Sequence, residues 1–217
     1  MMDTIFHDHP SVLVLSPHTD DAELGCGGTI ARLLKSGAEV SVAAFSLAEE
    51  SLPPGSTADR LHREFLGSMR TLGIKAEMTH VYNYPVRRLS EHRQDLLEDL
   101  VKLKRKLQPD VVFATSSADL HQDHQMLYSE AVRAFKDITL WGYELPWNSI
   151  RFSPEAFVIL NQDHLDLKWR ALQAYESQAE LRRPYFCKEF IEGLARVRGV
   201  QVRTQFAEAF EVVRVRW

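Results

Sequence analysis

Two short polar clusters hold the residue types in this chain that could do chemistry. One runs Ser16-Pro17-His18-Thr19-Asp20-Asp21-Ala22-Glu23. The other runs Ser116-Ser117-Ala118-Asp119-Leu120-His121-Gln122-Asp123-His124. Imidazole nitrogens and carboxylate oxygens together suit a divalent cation such as zinc. A catalytic zinc needs three protein ligands and one open position, and His18, Asp21 and His124 can supply two nitrogens and one oxygen. Asp20 stands next to a ligand without needing to be one, so it can act as general base toward a water. Neither cluster is decisive alone. Adjacent acids at a helix start commonly cap it, and a histidine pair at i, i+3 can lie on a solvated face. What sets these clusters apart is that each immediately follows an apolar run that reads as a strand.

The elements around them set their position. Ser11 to Ser16 is short, apolar and β-branched and stops at Pro17, which predicts a buried strand. A helix follows from Ala22 to Leu34, ended by Ser36-Gly37. Val40 to Phe45 reads as a second strand, and Ala48 to Thr57 as a polar loop around Pro53-Pro54-Gly55. Asp59 to Leu72 reads as a helix closed by Gly73, and His80 to Tyr84 as a short third strand. Ser90 is placed to cap a helix that runs to Leu107 with Leu96, Leu97, Leu100 and Leu103 on one stripe. Val111 to Ala114 is a fourth strand, Gln122 to Phe135 a helix, and Ile138 to Trp141 a fifth strand. The tail reads as a strand (Ala156 to Leu160), a helix (Asp163 to Ser177) and an alternating edge strand (Phe206 to Val215). This alternation predicts an α/β fold: a mostly parallel sheet with helices on both faces, in one domain spanning 1–217. In such a sheet ligands bind at the carboxyl ends of strands, so the two clusters should converge.

The segment His18-Thr19-Asp20-Asp21-Ala22-Glu23-Leu24-Gly25-Cys26-Gly27-Gly28-Thr29 resembles the first signature of the LmbE-like, or PIG-L, family of zinc-dependent N-deacetylases. His121-Gln122-Asp123-His124 resembles the second. Thr19 and Gln122 stand where that family usually has prolines. Lys168, Ala171-Leu172, Tyr175, Ser177-Gln178, Arg198-Gly199 and Ala207-Glu208 extend the resemblance through the tail. It implies a Rossmann-like fold and removal of an acyl group, usually acetyl, from an amino sugar. It implies one zinc per chain on His18, Asp21 and His124, with Asp20 as general base. It implies that His121 steadies the tetrahedral intermediate, with Asp123 as its orienting partner.

Other readings are narrowed by composition and pattern. The chain has 217 residues, with 26 Lys+Arg against 30 Asp+Glu and a net charge of −4, so no basic nucleic-acid footprint is expected. Two cysteines exclude a disulfide scaffold. The amino-terminal stretch has no apolar core like a secretory signal, and no run reaches the roughly 18 apolar residues of a membrane span, so a cytoplasmic protein is expected. Gly25-x-Gly27 would need a third glycine at 30 for a dinucleotide fingerprint, and Ile30 is there. Another mononuclear metallohydrolase, an amidase or phosphoesterase, and a non-catalytic metal-binding scaffold are the competing classes. The expected partner is a small N-acetylated sugar, with an anionic group as a further expectation, and a homo-oligomer is open. The anionic expectation rests on arginines near the sheet edge: Arg60, Arg63, Arg87, Arg88, Arg196 and Arg198. Arg60, Arg88 and Glu144 are taken as substrate contacts, with Trp147 and Asn148 as further sugar contacts.

Overall fold

The structure is a computed structural model that describes residues 9–216. The first eight residues, read above as lacking a secretory core, lie outside the described residues. Seven strands form one sheet: β1 (Ser11–Ser16), β2 (Glu39–Ala44), β3 (Thr79–Val81), β4 (Val111–Thr115), β5 (Thr139–Tyr143), β6 (Ala156–Leu160) and β7 (Phe206–Arg214). Their order is β3-β2-β1-β4-β5-β7-β6. The first five are parallel, and β7 runs antiparallel to both β5 and β6.

Period-two alternation in β1 divides the core. Val12 and Val14 join one cluster with Ile30 of α1 (Asp21–Lys35) and Leu61 and Phe65 of α2 (Arg60–Leu72). Leu13 and Leu15 join the other, with Leu96 and Leu100 of α3 (Arg93–Leu107) and Leu127 of α4 (Gln122–Ala134). The sheet is therefore buried on both faces, which is why β1 and β4 read as continuous apolar runs. The tail adds α5 (Gln162–Leu172), α6 (Glu176–Glu180) and α7 (Lys188–Gln201). The chain leaves β1 toward β2 on one side and returns to β4 on the other. The carboxyl ends of β1 and β4 thus meet at the reversal of strand order, where open α/β sheets form crevices.

Several expectations are corrected. Ser90 does not cap α3; it sits exposed in a 3-10 turn, Leu89–His92, and the helix begins at Arg93. The turn is tied down by the buried Leu89, whose N–H bonds Asp123. The helix expected over 163–177 is two helices, because the chain tightens at Ala174 and Tyr175, whose N–H groups bond three residues back. β7 is not an edge strand: it lies between β5 and β6, and its first five residues are buried. Its polar Glu208 is buried inside the protein. α7 had no counterpart among the expected elements. Finally, α1 is broken at Cys26, whose φ and ψ of −142° and 25° are not helical.

Candidate metal centre and cleft

Each strand-end loop shapes itself by side-chain hydrogen bonds to backbone. After β1, Ser16 Oγ donates to the His18 carbonyl and accepts the Ala22 N–H at 3.0 Å. Asp21 Oδ2 accepts the His18 N–H at 2.9 Å, so the turn closes on its own carboxylate. After β4, Asp119 Oδ1 accepts the His121 N–H at 2.9 Å, and His121 Nδ1 accepts the Asp123 N–H at 3.2 Å, capping α4. Because Nδ1 is an acceptor, the proton of a neutral His121 ring belongs on Nε2.

These turns bring three atoms together. His18 Nδ1 and His124 Nε2 each lie 3.2 Å from Asp21 Oδ2 and 3.2 Å from each other. Donor atoms around a tetrahedral zinc stand roughly 3.3 Å apart, from bonds of about 2.0–2.1 Å. Donor chemistry and spacing both fit a single divalent ion. The far nitrogen of each ring donates to a buried carboxylate: His18 Nε2 to Asp123 Oδ2 at 3.0 Å, and His124 Nδ1 to Asp119 Oδ2 at 2.8 Å. This fixes both ring orientations and tautomers as a metal site requires. His121 stands at the same centre, its ring 4.8 Å from that of His18 and 4.6 Å from that of His124. Ligand atoms of the three histidines fall within 4.8 Å of one another, a looser set than the one closed by Asp21.

The electrostatics follow from crowding and burial. Burial alone would lower the His18 pKa, but the hydrogen bonds to Asp123 and Asp21 hold it at about 9. Burial is likewise outweighed at His124, which Asp21 and Asp119 hold at about 10. Against its own burial, Asp21 is kept well below the usual carboxylate range by His124 and His18. Burial and then the charge of Asp21 push Asp20 up to about 6. Burial, with the neighbouring His124 and His18, lowers the pKa of His121 and favours its neutral form.

The centre opens into a cleft of about 280 Å³ that also exposes Asp20, Arg87, Trp147, Asn148, Arg183 and Tyr185. Trp147 and Tyr185 stack at 3.8 Å between ring centroids, 6° from parallel. Arg183 Nη1 donates to the Tyr185 hydroxyl at 2.7 Å. Arg87 holds a left-handed backbone (φ 66°), with its N–H 2.5 Å from Asp123 Oδ2.

His18, Asp20, Asp21, His121 and His124 are thus brought together. Asp123 is placed differently from expectation: its carboxylate serves His18, and only its backbone N–H meets His121. Arg60, Arg88 and Glu144 do not line the cleft. Arg60 pairs with Glu64 at 3.0 Å and Glu180 at 2.6 Å. Arg88 is exposed, and Glu144 is buried against Arg198. Arg196 lies over the Phe206 ring, away from the cleft. Sequence reading missed Arg183 and Tyr185, which sit in a Pro-containing loop with no periodicity. It also missed the service of Asp119 to His124, whose only signal is an acid five residues before a ligand.

Comparison with known proteins agrees with this geometry. The profile of the PIG-L family, GlcNAc-PI de-N-acetylase, matches residues 13–135. An Escherichia coli (strain K12) protein named uncharacterized deacetylase YaiS is 30% identical over 174 residues, covering 76% of this chain and 90% of that protein. The crystal structure of the conserved protein TT1542 from Thermus thermophilus has a TM-score of 0.80 at 26% identity, covering 96% of each chain. N,N'-diacetylchitobiose deacetylase from Pyrococcus horikoshii, complexed with its inhibitor MPG, has a TM-score of 0.81 at 24% identity, covering 98% of this chain and 87% of that one. At that identity the last likeness speaks for the fold alone. A match over more than half of the chain, joined to a 30% identical relative aligned along most of its length, makes this chain a member of the PIG-L family of deacetylases.

Proposed function

We propose that the protein is a metal-dependent hydrolase that removes the acetyl group from the nitrogen of an amino sugar. The observation that carries this reading is the set of three donor atoms 3.2 Å apart, with Asp20 beside them and outside the set. His18, Asp21 and His124 would hold one zinc ion. Bound there, zinc would acidify a water toward neutral pH and polarise an acyl oxygen.

The rest of the chemistry belongs to the chain's own residues. Asp20 takes the proton of the attacking water, then returns it to the leaving amine. His121 donates its Nε2–H to the oxygen on which negative charge develops. A neutral donor suffices for this, and the Asp123 N–H on Nδ1 keeps the proton on Nε2. Asp123 and Asp119 act behind the ligand rings, holding their geometry rather than touching substrate. The amino-sugar reading draws on the family's description, which names an N-acetylglucosamine lipid. An anionic group on that sugar is supported by Arg183 in the cleft, in place of Arg60 and Arg88; Arg87 also lines the cleft, with its guanidinium paired to Glu50 at 2.7 Å.

The test is acetate release from a panel of N-acetyl sugars, free and phosphorylated, by zinc-loaded and chelator-stripped protein. Release from at least one sugar, lost on stripping and regained with zinc, is expected. Release of phosphate without acetate would instead point to a phosphoesterase. Zinc binding without turnover on any member would point to a scaffold.

A further inference from the structure

The break in α1 is closed by two residues from the other end of the chain. At Cys26 the helical ladder fails, so α1 is two short helices in sequence, a first that begins at Asp21 and a second that runs to Lys35. A broken helix orphans carbonyls at the end of its first part and N–H groups at the start of its second. One carbonyl of the first set and two N–H groups of the second are bonded here by a buried ion pair. Lys168 Nζ donates to the Leu24 carbonyl at 2.8 Å. Glu208 accepts the Gly28 N–H on Oε1 at 3.0 Å and the Thr29 N–H on Oε2 at 2.6 Å. Lys168 Nζ and Glu208 Oε1 are 2.7 Å apart, and the two residues are 4% and 6% exposed. The cation caps the carboxyl end of the first part, the anion caps the amino end of the second, and each charge faces the favourable pole of a helix dipole.

The surrounding sequence is cut to fit this splice. A Cβ on Gly27 would stand 2.9 Å from Lys168 Cγ, and one on Gly28 would stand 2.5 Å from Leu160 Cδ1 and 3.1 Å from Glu208 Oε1. Bulk at either position would move the pair away from the backbone it caps. The glycines that fail as a dinucleotide fingerprint thus have another use: they admit a lysine from α5 and a glutamate from β7 to the gap.

We infer that Lys168 and Glu208 are positioning residues for the metal centre. They set the angle between the two parts of α1, and the first part carries Asp21, with Asp20 directly before it. Lys168 holds the Leu24 carbonyl, one helical turn beyond Asp20 and Asp21. Releasing that end frees the short segment to tilt about the strand end. Asp21 Oδ2 then leaves its place 3.2 Å from both histidine nitrogens. The inference rests on the metal set proposed above, because its effect is exerted through Asp21.

The test compares Lys168→Met with the uncharged double variant Lys168→Met/Glu208→Gln. The single variant leaves Glu208 buried without its cation, so a loss of melting temperature there says little about the site. The double variant removes both charges and so the uncompensated buried charge of the single variant, while the Gln amide still accepts one of the Gly28 and Thr29 N–H groups. It leaves the Leu24 carbonyl without its lysine. Zinc affinity by chelator competition, the visible spectrum of the cobalt-substituted protein, kcat and KM are measured alongside the melting temperature. For the double variant we expect a melting temperature recovered toward that of the unaltered protein. We expect zinc affinity still about 10–100-fold weaker, the range seen when the partners behind ligands are lost. The cobalt spectrum should differ, and kcat should fall more than KM changes. Recovery of affinity and spectrum together with melting temperature would make the pair purely structural and overturn the inference, as would failure of both variants to fold. An unaltered protein that binds no zinc or cobalt would overturn the metal assignment itself, and this inference with it.

Discussion

The two loops that meet at the centre are held in opposite ways. The loop after β4 orients its own site residues: Asp119, His121, Asp123 and His124 fix one another through bonds spanning no more than five residues, while Asn148, Glu211 and the N–H groups of Arg87 and Leu89 anchor the loop as a whole. The loop after β1 leans on distant parts of the chain. Asp123 holds the His18 ring, the Tyr175 hydroxyl donates to the Thr19 carbonyl, and Lys168 holds the Leu24 carbonyl. Local bonds need little chain closure to form, whereas the bonds from Tyr175 and Lys168 to the β1 loop exist only once the tail has docked on α1. Loss of one local bond around His124 should therefore stay local, and the orientation of the β1 loop should be reachable from the tail, far away in sequence.

The largest expected effect concerns Asp20, in the loop that depends on the tail. Asp20→Asn keeps the size of the side chain and removes its ability to take a proton. Turnover should fall about 10²–10⁴-fold, the usual contribution of a general base, with zinc content unchanged. Steady-state kinetics with metal analysis check both halves. Near-normal kcat at full zinc occupancy would remove Asp20 from that role.

Next in size is Asp119→Asn, in the loop after β4. An amide of the same shape can still accept the His121 N–H, but its nitrogen then faces His124 Nδ1, so both the acceptor and the charge behind that ring are lost. Zinc affinity should fall about 10–100-fold while the melting temperature hardly moves. If the variant instead loses its fold, Asp119 carries the docking of the loop as well as the orientation of His124. That result would break the contrast between the loops.

Legibility in the sequence follows the same division. The strands of the parallel half, the helices between them and the convergence of His18, Asp21 and His124 were readable, because apolar periodicity and strand-end position are local signals. The support of the β1 loop was not. Lys168, Tyr175 and Glu208 meet α1 across at least 144 residues, and no local pattern distinguishes them from surface polar residues. The same cause misplaced β7: its alternation reads as an edge strand until its place between β5 and β6 is known. The arginines failed for another reason. Arg60 and Arg198 satisfy nearby acids, and nothing in the order of residues says which arginine will find a partner and which will face the cleft.

The cleft rim offers a smaller effect. Arg183 faces the cleft with its guanidinium steadied by Tyr185, and none of the ion pairs among the described residues involves it. A charged hydrogen bond contributes about 1.5–3 kcal/mol. Arg183→Gln should therefore raise KM for N-acetylglucosamine 6-phosphate about 10-fold or more. KM for the neutral sugar should hold, and kcat should change less in both. Equal losses on the two sugars would assign Arg183 to the chemistry rather than to the anion.

The smallest effect tests the long-range support of the β1 loop most directly. Tyr175 is fully buried, and its hydroxyl reaches both the Thr19 carbonyl and, at 2.7 Å, Glu23 Oε1. Glu23 is also bonded by Ser68, and burial pushes its pKa up to about 8, so it can stay uncharged and keep one bond when the tyrosine hydroxyl is gone. The Thr19 carbonyl has no such alternative. Tyr175→Phe should thus cost roughly 0.5–1.5 kcal/mol, about 2–4 °C of melting temperature per kcal/mol at this chain length. Tyr84→Phe is the matched control. Its hydroxyl bonds Asp99 at 2.7 Å on the α3 side of the sheet, a similar bond that touches neither loop. The control should lower melting temperature by a comparable or smaller amount and leave zinc affinity alone. Tyr175→Phe should lower both, because the Thr19 carbonyl belongs to the peptide that joins His18 to Asp20. Identical behaviour of the two variants would mean that the β1 loop holds its shape without the tail.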